Sequence, residues 1–131
     1  MSSVVVDSSA VLASLYGEPG AAQVDAILVD AVMSAVNAAE VISKLTGRGM
    51  PADLAESALA ATAVEVAPFD LDQAATVGVL RPITRAAGLS LGDRACLALA
   101  KHRGLPAMTA ERVWASVADA VGVEIIQIRP R

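Results

Sequence analysis

Four acidic residues stand close to points where apolar, strand-like runs give way to helical segments. They are Asp7, Glu40, Asp93 and Glu111. Carboxylates gathered in one pocket raise one another's pKa unless a cation neutralises them. Hard divalent ions such as Mg²⁺ and Mn²⁺ take oxygen ligands and keep several waters, which leaves room for a substrate phosphate. If the fold brings the four acids together, they predict a metal site that hydrolyses a phosphoester with an activated water.

Each of these acids also has a purely structural explanation. Asp7 and Asp93 stand where helix-capping carboxylates are common. Glu40 is spaced to form an i,i+4 ion pair with Lys44. Glu111 can be an acid of a helical first turn, which the helix dipole favours. Because helix starts collect acids for these reasons, spacing alone leaves the metal site the less favoured interpretation.

The elements that must position these acids are strands and helices in alternation. The predicted strands are 4–6, 31–33, 64–66, 106–108 and 123–128. The predicted helices are 8–15, about 20–29, about 35–44, one beginning at 51, 70–88, 90–102, and one after 109 that contains Trp114. Pro82 is expected to kink or divide the helix 70–88. Short buried strands separated by helices are typical of parallel βαβ units.

We therefore predict one α/β domain over residues 1–131, with three α/β/α layers. Its parallel sheet would have about four or five strands, with 4–6 in the centre and 123–128 at an edge. Ligands of such sheets bind outside the carboxyl ends of the strands. All four acids are expected at that edge.

The composition limits the kinds of active site and partner that the chain could have. With 131 residues the chain has the usual size of one domain, and its net charge of −4 argues against non-specific binding to nucleic acid. His102 is the only histidine, which disfavours a His-based zinc site or triad. Cys96 is the only cysteine, so an internal disulfide is excluded, and we expect a buried thiol in a reducing cytoplasm. We expect no secretory signal and no membrane span, because charges interrupt every apolar run.

Four stretches of sequence resemble the motifs of the VapC-type PIN-domain toxins. VVVDSSAVLA (4–13) resembles the opening of that family, and SAVNAAEV (34–41) resembles its second motif, with Asn-x-x-Glu spacing. LSLGDRACLALA (89–100) is similar to the third motif, which is the most specific of the set. TAERVW (109–114) is similar to the fourth, where the family usually has Thr-Ala-Asp and ends in Trp. The four motifs occur in the family's order along the whole chain.

The resemblance implies a metal-dependent endoribonuclease of PIN-like fold that acts as the toxin of a toxin–antitoxin pair. Asp7, Glu40 and Asp93 would be the essential metal-binding and catalytic residues. Glu111 would be an auxiliary one. Ser9 and Thr109 would support the site by hydrogen bonds, although either hydroxyl could equally be a helix cap.

The same resemblance implies a set of partners. The substrate would be RNA, and a small cognate antitoxin would cover the site with an extended arm. Because members of that family commonly dimerise, a homodimer is expected. The chain would contact operator DNA only through the antitoxin. No membrane partner is expected.

Glu111 departs from the family's usual Asp. Its extra methylene moves the carboxylate outward by about one bond length, so that it could bind a metal through water or bind only one ion. This departure leaves open an alternative, a catalytically weakened PIN domain that binds RNA or protein. A second alternative, a receiver domain, fits poorly because Asp53 and Lys101 both fall inside predicted helices.

The basic residues are scattered, and we expect only some of them to border a cleft for RNA. They are Lys44, Arg48, Arg81, Arg85, Arg94, Arg112 and the cluster 101–103. Arg129 and Arg131 form a short basic tail whose tip is expected to be disordered. Trp114 is predicted to belong to the core.

Overall fold

Five short strands form one parallel sheet in the computed structural model, which describes residues 2–129. The strands are β1 (Val4–Val6), β2 (Ala31–Ser34), β3 (Glu65–Ala67), β4 (Ala107–Thr109) and β5 (Ile125–Gln127). Their order is β3-β2-β1-β4-β5, and every neighbouring pair is parallel. The predicted fold class, the central place of β1 and the edge place of β5 are confirmed.

Helices cover both faces of this sheet. They are α1 (Ser8–Tyr16), α2 (Ala21–Asp25), α3 (Ala35–Gly47), α4 (Ala52–Ala61), α5 (Leu71–Thr84), α6 (Leu91–Arg103) and α7 (Ala118–Val121). Val4 and Val6 pack with α1 to α4, while Val5 packs with α6, α7 and Trp114. The alternation of side chains along β1 thus divides the core between two faces, as expected for a strand buried on both sides.

The order of the strands creates one crevice at the carboxyl edge of the sheet. From β1 the chain moves outward to β2 and β3, and it then returns to the other side of β1 as β4 and β5. Ligands of open α/β sheets bind where the strand order reverses in this way. Here that point lies between β1 and β4, so Asp7 and Thr109 stand at the crevice. A receiver domain would require the flavodoxin-like order 2-1-3-4-5, and this alternative is excluded.

Several boundaries differ from the sequence prediction, most clearly after β4. The predicted helix after Thr109 is a short 3₁₀ helix, Arg112–Ser116, followed by α7. The backbone N–H groups of Ala110 and Glu111 donate to the hydroxyls of Ser9 and Thr109, which holds this stretch in a non-helical turn. The helix that begins after Asp70 ends at Thr84 instead of Gly88.

Other expectations concern single residues. Trp114 and Cys96 are fully buried, as predicted. Arg129 is held near Glu18 at 3.5 Å, while Arg131 lies outside the described residues. Within residues 2–129, no helix is both long enough and apolar enough to cross a bilayer.

Candidate functional site

Asp7 lies at the base of the crevice and is only 2% exposed. It caps α1, because the backbone N–H of Ala10 donates to Oδ1 at 2.9 Å. The hydroxyl of Ser9 donates to both carboxylate oxygens at 2.8 and 2.9 Å, and the hydroxyl of Thr109 donates to Oδ2 at 2.6 Å. The capping explanation is therefore correct for Asp7, but it accounts for only one of these three donors.

Burial governs the charge state of Asp7. Removal from water raises the pKa of its carboxyl group from 3.8 to about 7. The donors Thr109, Ala10 and Ser9 act in the opposite direction, and the negative charge of Asp93 raises the pKa further. The three donors therefore do not compensate for the lost hydration, and a nearby positive charge would favour the ionised form of Asp7.

Asp93 lies in the first turn of α6 and is half-buried. Its Oδ2 accepts a hydrogen bond from the backbone N–H of Ser90 at 2.9 Å, while the hydroxyl of Ser90 accepts one from the backbone N–H of Asp93 at 3.2 Å. The two residues thus form a complete capping box. This reciprocal pair fixes the Asp93 side chain over the first turn of α6, where its charge reaches Asp7.

Glu40 reaches the site from α3 and lies against the start of α6. Its Oε1 accepts a hydrogen bond from Asn37 Nδ2 at 2.8 Å, and the same amide donates to the carbonyl of Gly92 at 3.0 Å. A Cβ added at Gly92 would overlap the Glu40 carboxylate, so glycine is required there for this approach. Among residues 2–129, no ion pair joins Glu40 to Lys44, and the solvent-face explanation for Glu40 is wrong.

Glu111 follows β4 and has an exposed side chain. Its backbone N–H donates to the hydroxyl of Thr109 at 2.9 Å. The residue borders a cleft that Ser9, Arg48 and Arg129 also line. Glu111 thus lies beside the buried acid but on the open side of the crevice.

Three of the four acids act electrostatically on the buried thiol of Cys96. Burial is the main cause that raises the pKa of the Cys96 thiol, and the charges of Asp7, Asp93 and Glu40 add to it. The three carboxylates are nevertheless separate as they stand. Within the described part of the chain, no three His, Cys, Asp or Glu side chains are arranged so that they could hold a metal ion.

A family model for the PIN domain matches residues 4–120. The chain belongs to the PIN-domain family. The match spans all four motifs identified in the sequence up to α7, so the resemblance inferred from those motifs is confirmed. No curated protein sequence matches the chain significantly.

Solved PIN-domain structures share the fold over nearly the whole chain. A VapBC-family structure, VapBC-5 from Mycobacterium tuberculosis, is 26% identical, with a TM-score of 0.64 and coverage of 97% of this chain and 99% of that one. DNA-bound VapBC from Salmonella typhimurium is 19% identical, with a TM-score of 0.71 and coverage of 98% and 99%. VapC20 from M. tuberculosis, described as a Sarcin-Ricin loop cleaving toxin, is 18% identical, with a TM-score of 0.68 and coverage of 87% and 95%.

Sequence reasoning missed two residues that shape the site, Asn37 and Gly92. The Asn-x-x-Glu spacing was visible and could have suggested that Asn37 contacts Glu40, since residues three apart face each other on a helix. Nothing local identified Gly92, because its role depends on a contact with α3. The supporting places of Ser9 and Thr109 beside Asp7 agree with the resemblance.

Proposed function

We propose that this PIN domain is a metal-dependent endoribonuclease that acts as the toxin of a toxin–antitoxin pair. The observation that carries the proposal is the position of Asp7, a desolvated carboxylate at the point where the strand order reverses, within electrostatic reach of Asp93. One structural neighbour, VapC20, is described as a Sarcin-Ricin loop cleaving toxin. The proposal treats residues 1–131 as one nuclease domain.

The donor set fits Mg²⁺ or Mn²⁺. The available side-chain ligands are carboxylate oxygens, which hard cations prefer, and they come from Asp7, Asp93 and Glu40, with Glu111 as an auxiliary. Asn37 Oδ1 is buried beside them and has no hydrogen-bond partner within residues 2–129. Asp93 uses only Oδ2 in its capping box, so Oδ1 remains available. A cation here would also favour the ionised form of Asp7.

A divalent ion, when bound, lowers the pKa of a water and offsets the charge that develops on the phosphodiester. The chain's own contribution is to hold the acids. Ser9 and Thr109 commit their hydroxyl protons to Asp7, because each hydroxyl also accepts a backbone N–H. His102 lies near the end of α6 and contacts Thr76 at 2.8 Å, so it is placed at the opposite edge of the sheet. We therefore expect attack by water, which leaves 5′-phosphate ends.

The partners follow from the same proposal. We propose a small cognate antitoxin, since one structural neighbour is described as a toxin-antitoxin complex and others as VapBC or FitAB bound to DNA. Contact with operator DNA would then run through the antitoxin. A homodimer and a cytoplasmic location remain part of the proposal.

A second candidate function is an RNA- or protein-binding module without cleavage. It is favoured by the separation of the acids in the described chain and by the exposed Glu111. The two candidates differ in a single observable property, metal-dependent hydrolysis of RNA.

The test measures cleavage of total cellular RNA by the purified chain with Mn²⁺, with Mg²⁺ and with EDTA. Asp7→Asn, Glu40→Gln and Asp93→Asn should each lower the rate at least about thousandfold, which is about 4 kcal/mol of transition-state stabilisation. Asp53→Asn, an exposed acid of the first turn of α4, is the matched control and should cleave normally. Glu111→Gln should have a smaller effect.

Two results would contradict the mechanism: cleavage that persists in EDTA, or products that end in a 2′,3′-cyclic phosphate. RNA binding without any cleavage would establish the second candidate. Calorimetric titration with Mn²⁺ adds an independent measure, since Asp93→Asn should weaken binding.

A further inference from the structure

A second cleft of about 220 Å³ begins beside Asp7 and runs between α1 and α3. Ser9, Leu12 and Tyr16 form its α1 wall, at the i, i+3 and i+7 positions of one helix face. Ser9 also donates its hydroxyl proton to Asp7. The cleft therefore lies next to Asp7, with Ser9 between them.

The opposite wall carries a change of charge along one face of α3. Glu40 and Lys44 are one turn apart on α3, and Arg48, four residues further on, is the residue that caps the end of this helix. The three residues thus follow one side of the helix over about 12 Å. Glu40 lines the pocket at the start of α6, and Lys44 lines both that pocket and the second cleft. Arg48 lines the second cleft. A chain that leaves the acids along this side of the helix passes from a negative to a positive surface.

Two of the three cations of this cleft are available for a ligand. Lys44 and Arg48 have exposed side chains that form no ion pair within residues 2–129. The Arg48 guanidinium lies 4.1 Å from the centre of the Tyr16 ring, and stacking of this kind holds the group in place while its N–H donors stay free. Arg129 completes the cationic set at the third side of the cleft.

The cleft also holds buried polar atoms that lack a hydrogen-bond partner within the described residues. Tyr16 Oη and Arg129 Nε are buried and lack a hydrogen-bond partner within the described residues. The two acids that line the cleft do not cancel its positive end. Glu18 is taken up by Arg129 at 3.5 Å, and Glu111 stands at the end next to Thr109. A ligand rich in acceptors and negative charge matches this surface.

We propose that this cleft binds a backbone phosphate of single-stranded RNA next to the phosphate that is cleaved, with Lys44, Arg48 and Arg129 as its cations. The inference rests on the proposed ribonuclease function. A phosphate ester supplies acceptor oxygens, and arginine binds it through paired N–H donors. A polynucleotide also carries a second phosphate beside the first, which an isolated anion does not. The cleft would thus set the direction of the RNA across the acids.

The test measures binding of a short fluorescein-labelled single-stranded RNA of mixed sequence by fluorescence anisotropy, in EDTA so that the probe stays intact. Lys44→Gln, Arg48→Gln and Arg129→Gln should each weaken binding about threefold to fivefold at low salt. Each should also reduce the slope of log K against log salt by about 0.7, the value for one lost phosphate contact on a single strand. Arg48→Lys keeps the charge and should keep the slope.

Arg81→Gln is the matched control, because Arg81 is an exposed arginine of α5 that does not line the cleft. The inference is overturned if the cleft variants and Arg81→Gln change the slope equally. It is also overturned if the cleft variants keep RNA binding and lose binding of the antitoxin.

Cleavage assays separate this inference from the proposed function. If no variant cleaves RNA but the slope still depends on Arg48, the phosphate subsite is supported and the nuclease proposal fails. If cleavage is normal and all slopes are equal, the nuclease proposal stands and the subsite is wrong.

Discussion

Asp7 and Glu65 are carboxylates at opposite ends of the same parallel sheet, and folding shifts their pKa values in opposite directions. Asp7 follows the carboxyl end of β1, where burial raises its pKa to about 7. Glu65 begins β3 and is exposed, and its pKa is lowered, mainly because Arg103 and then Ser2 donate hydrogen bonds to it. Both carboxylates accept good hydrogen bonds. The difference in their hydration therefore decides whether the pKa is raised or lowered.

The two carboxylates differ in whether the chain itself satisfies their negative charge. At the amino end, an ion pair in water satisfies Glu65 with the partners that the chain already provides. At the carboxyl end, three donors still leave the ionised Asp7 unfavourable, so without a nearby cation the fold favours the protonated carboxyl up to about pH 7. Such a group suits the binding of a cation, because binding relieves the cost of burial.

The largest expected difference between the two ends is in the pH dependence of stability. The folded-state pKa of Asp7 lies above its ordinary 3.8, so the folded protein binds more protons than the unfolded chain between about pH 4 and pH 7. The contribution of Asp7 is thus fully present below about pH 4 and is lost as the pH rises through about 7. For metal-free protein we expect a loss of up to about 4 kcal/mol over this window.

Urea unfolding in EDTA at several pH values measures this loss, and Asp7→Asn is the comparison that isolates it. The asparagine side chain can still accept the hydrogen bond from the backbone N–H of Ala10. The hydroxyls of Ser9 and Thr109 can accept a hydrogen bond from its amide as well as donate one to it. The variant should therefore fold and should lack the Asp7 part of the pH slope. Addition of Mn²⁺ should reduce the slope of the wild type. Identical slopes in both proteins would show that Asp7 is hydrated in solution.

Two glycine-to-alanine substitutions test whether the position of Glu40 at the carboxyl end of the sheet matters for cleavage. Gly92→Ala and Gly78→Ala both place a better helix former in a helix, worth up to about 1 kcal/mol each. An added Cβ at Gly78 meets nothing within 4 Å, whereas at Gly92 it overlaps the Glu40 carboxylate. Glu40 can swing away, so Gly92→Ala should fold normally but cleave RNA about tenfold more slowly or worse.

Thermal unfolding and cleavage rates of the two glycine variants give the answer. Gly78→Ala should be slightly stabilised and fully active. Equal activity of both variants would mean that the position of Glu40 against α6 does not matter for the reaction.

Local features of the sequence predicted most of the fold. The valines of β1 and the capping carboxylates Asp7 and Asp93 act on neighbours within a few residues, and each of them has its predicted place. The 3₁₀ helix after β4 was not predictable in this way. It depends on the hydroxyl of Ser9, about a hundred positions away, which takes up a backbone N–H that an α-helix start would leave free.

The residues of the candidate site likewise fall into those that local sequence features predicted and those that depend on tertiary contacts. The acids could be found because each follows a strand or opens a helix, and the topology of parallel sheets brings such positions to one edge. The contact of Asn37 with Gly92 joins residues 55 positions apart, and the second cleft combines α1, α3 and the segment after β5. Contacts of this kind follow from tertiary packing and leave no period or motif in the sequence.

The smallest expected effect belongs to the amino end of the sheet. Glu65→Gln removes a carboxylate that lies 2.9 Å from Arg103, with both side chains largely in water. Exposed ion pairs contribute about 0–1 kcal/mol, because solvent screens the charges and ordering two long side chains costs entropy. Since the pKa of Glu65 is lowered on folding, its contribution is present at neutral pH and is lost as the pH falls through the folded pKa. We therefore expect a small loss of stability at pH 7, no loss in strong acid, and unchanged RNA cleavage. Urea unfolding at the two pH values measures the first two expectations. A cleavage defect in Glu65→Gln would mean that the two ends of the sheet are coupled, and the contrast between them would no longer hold.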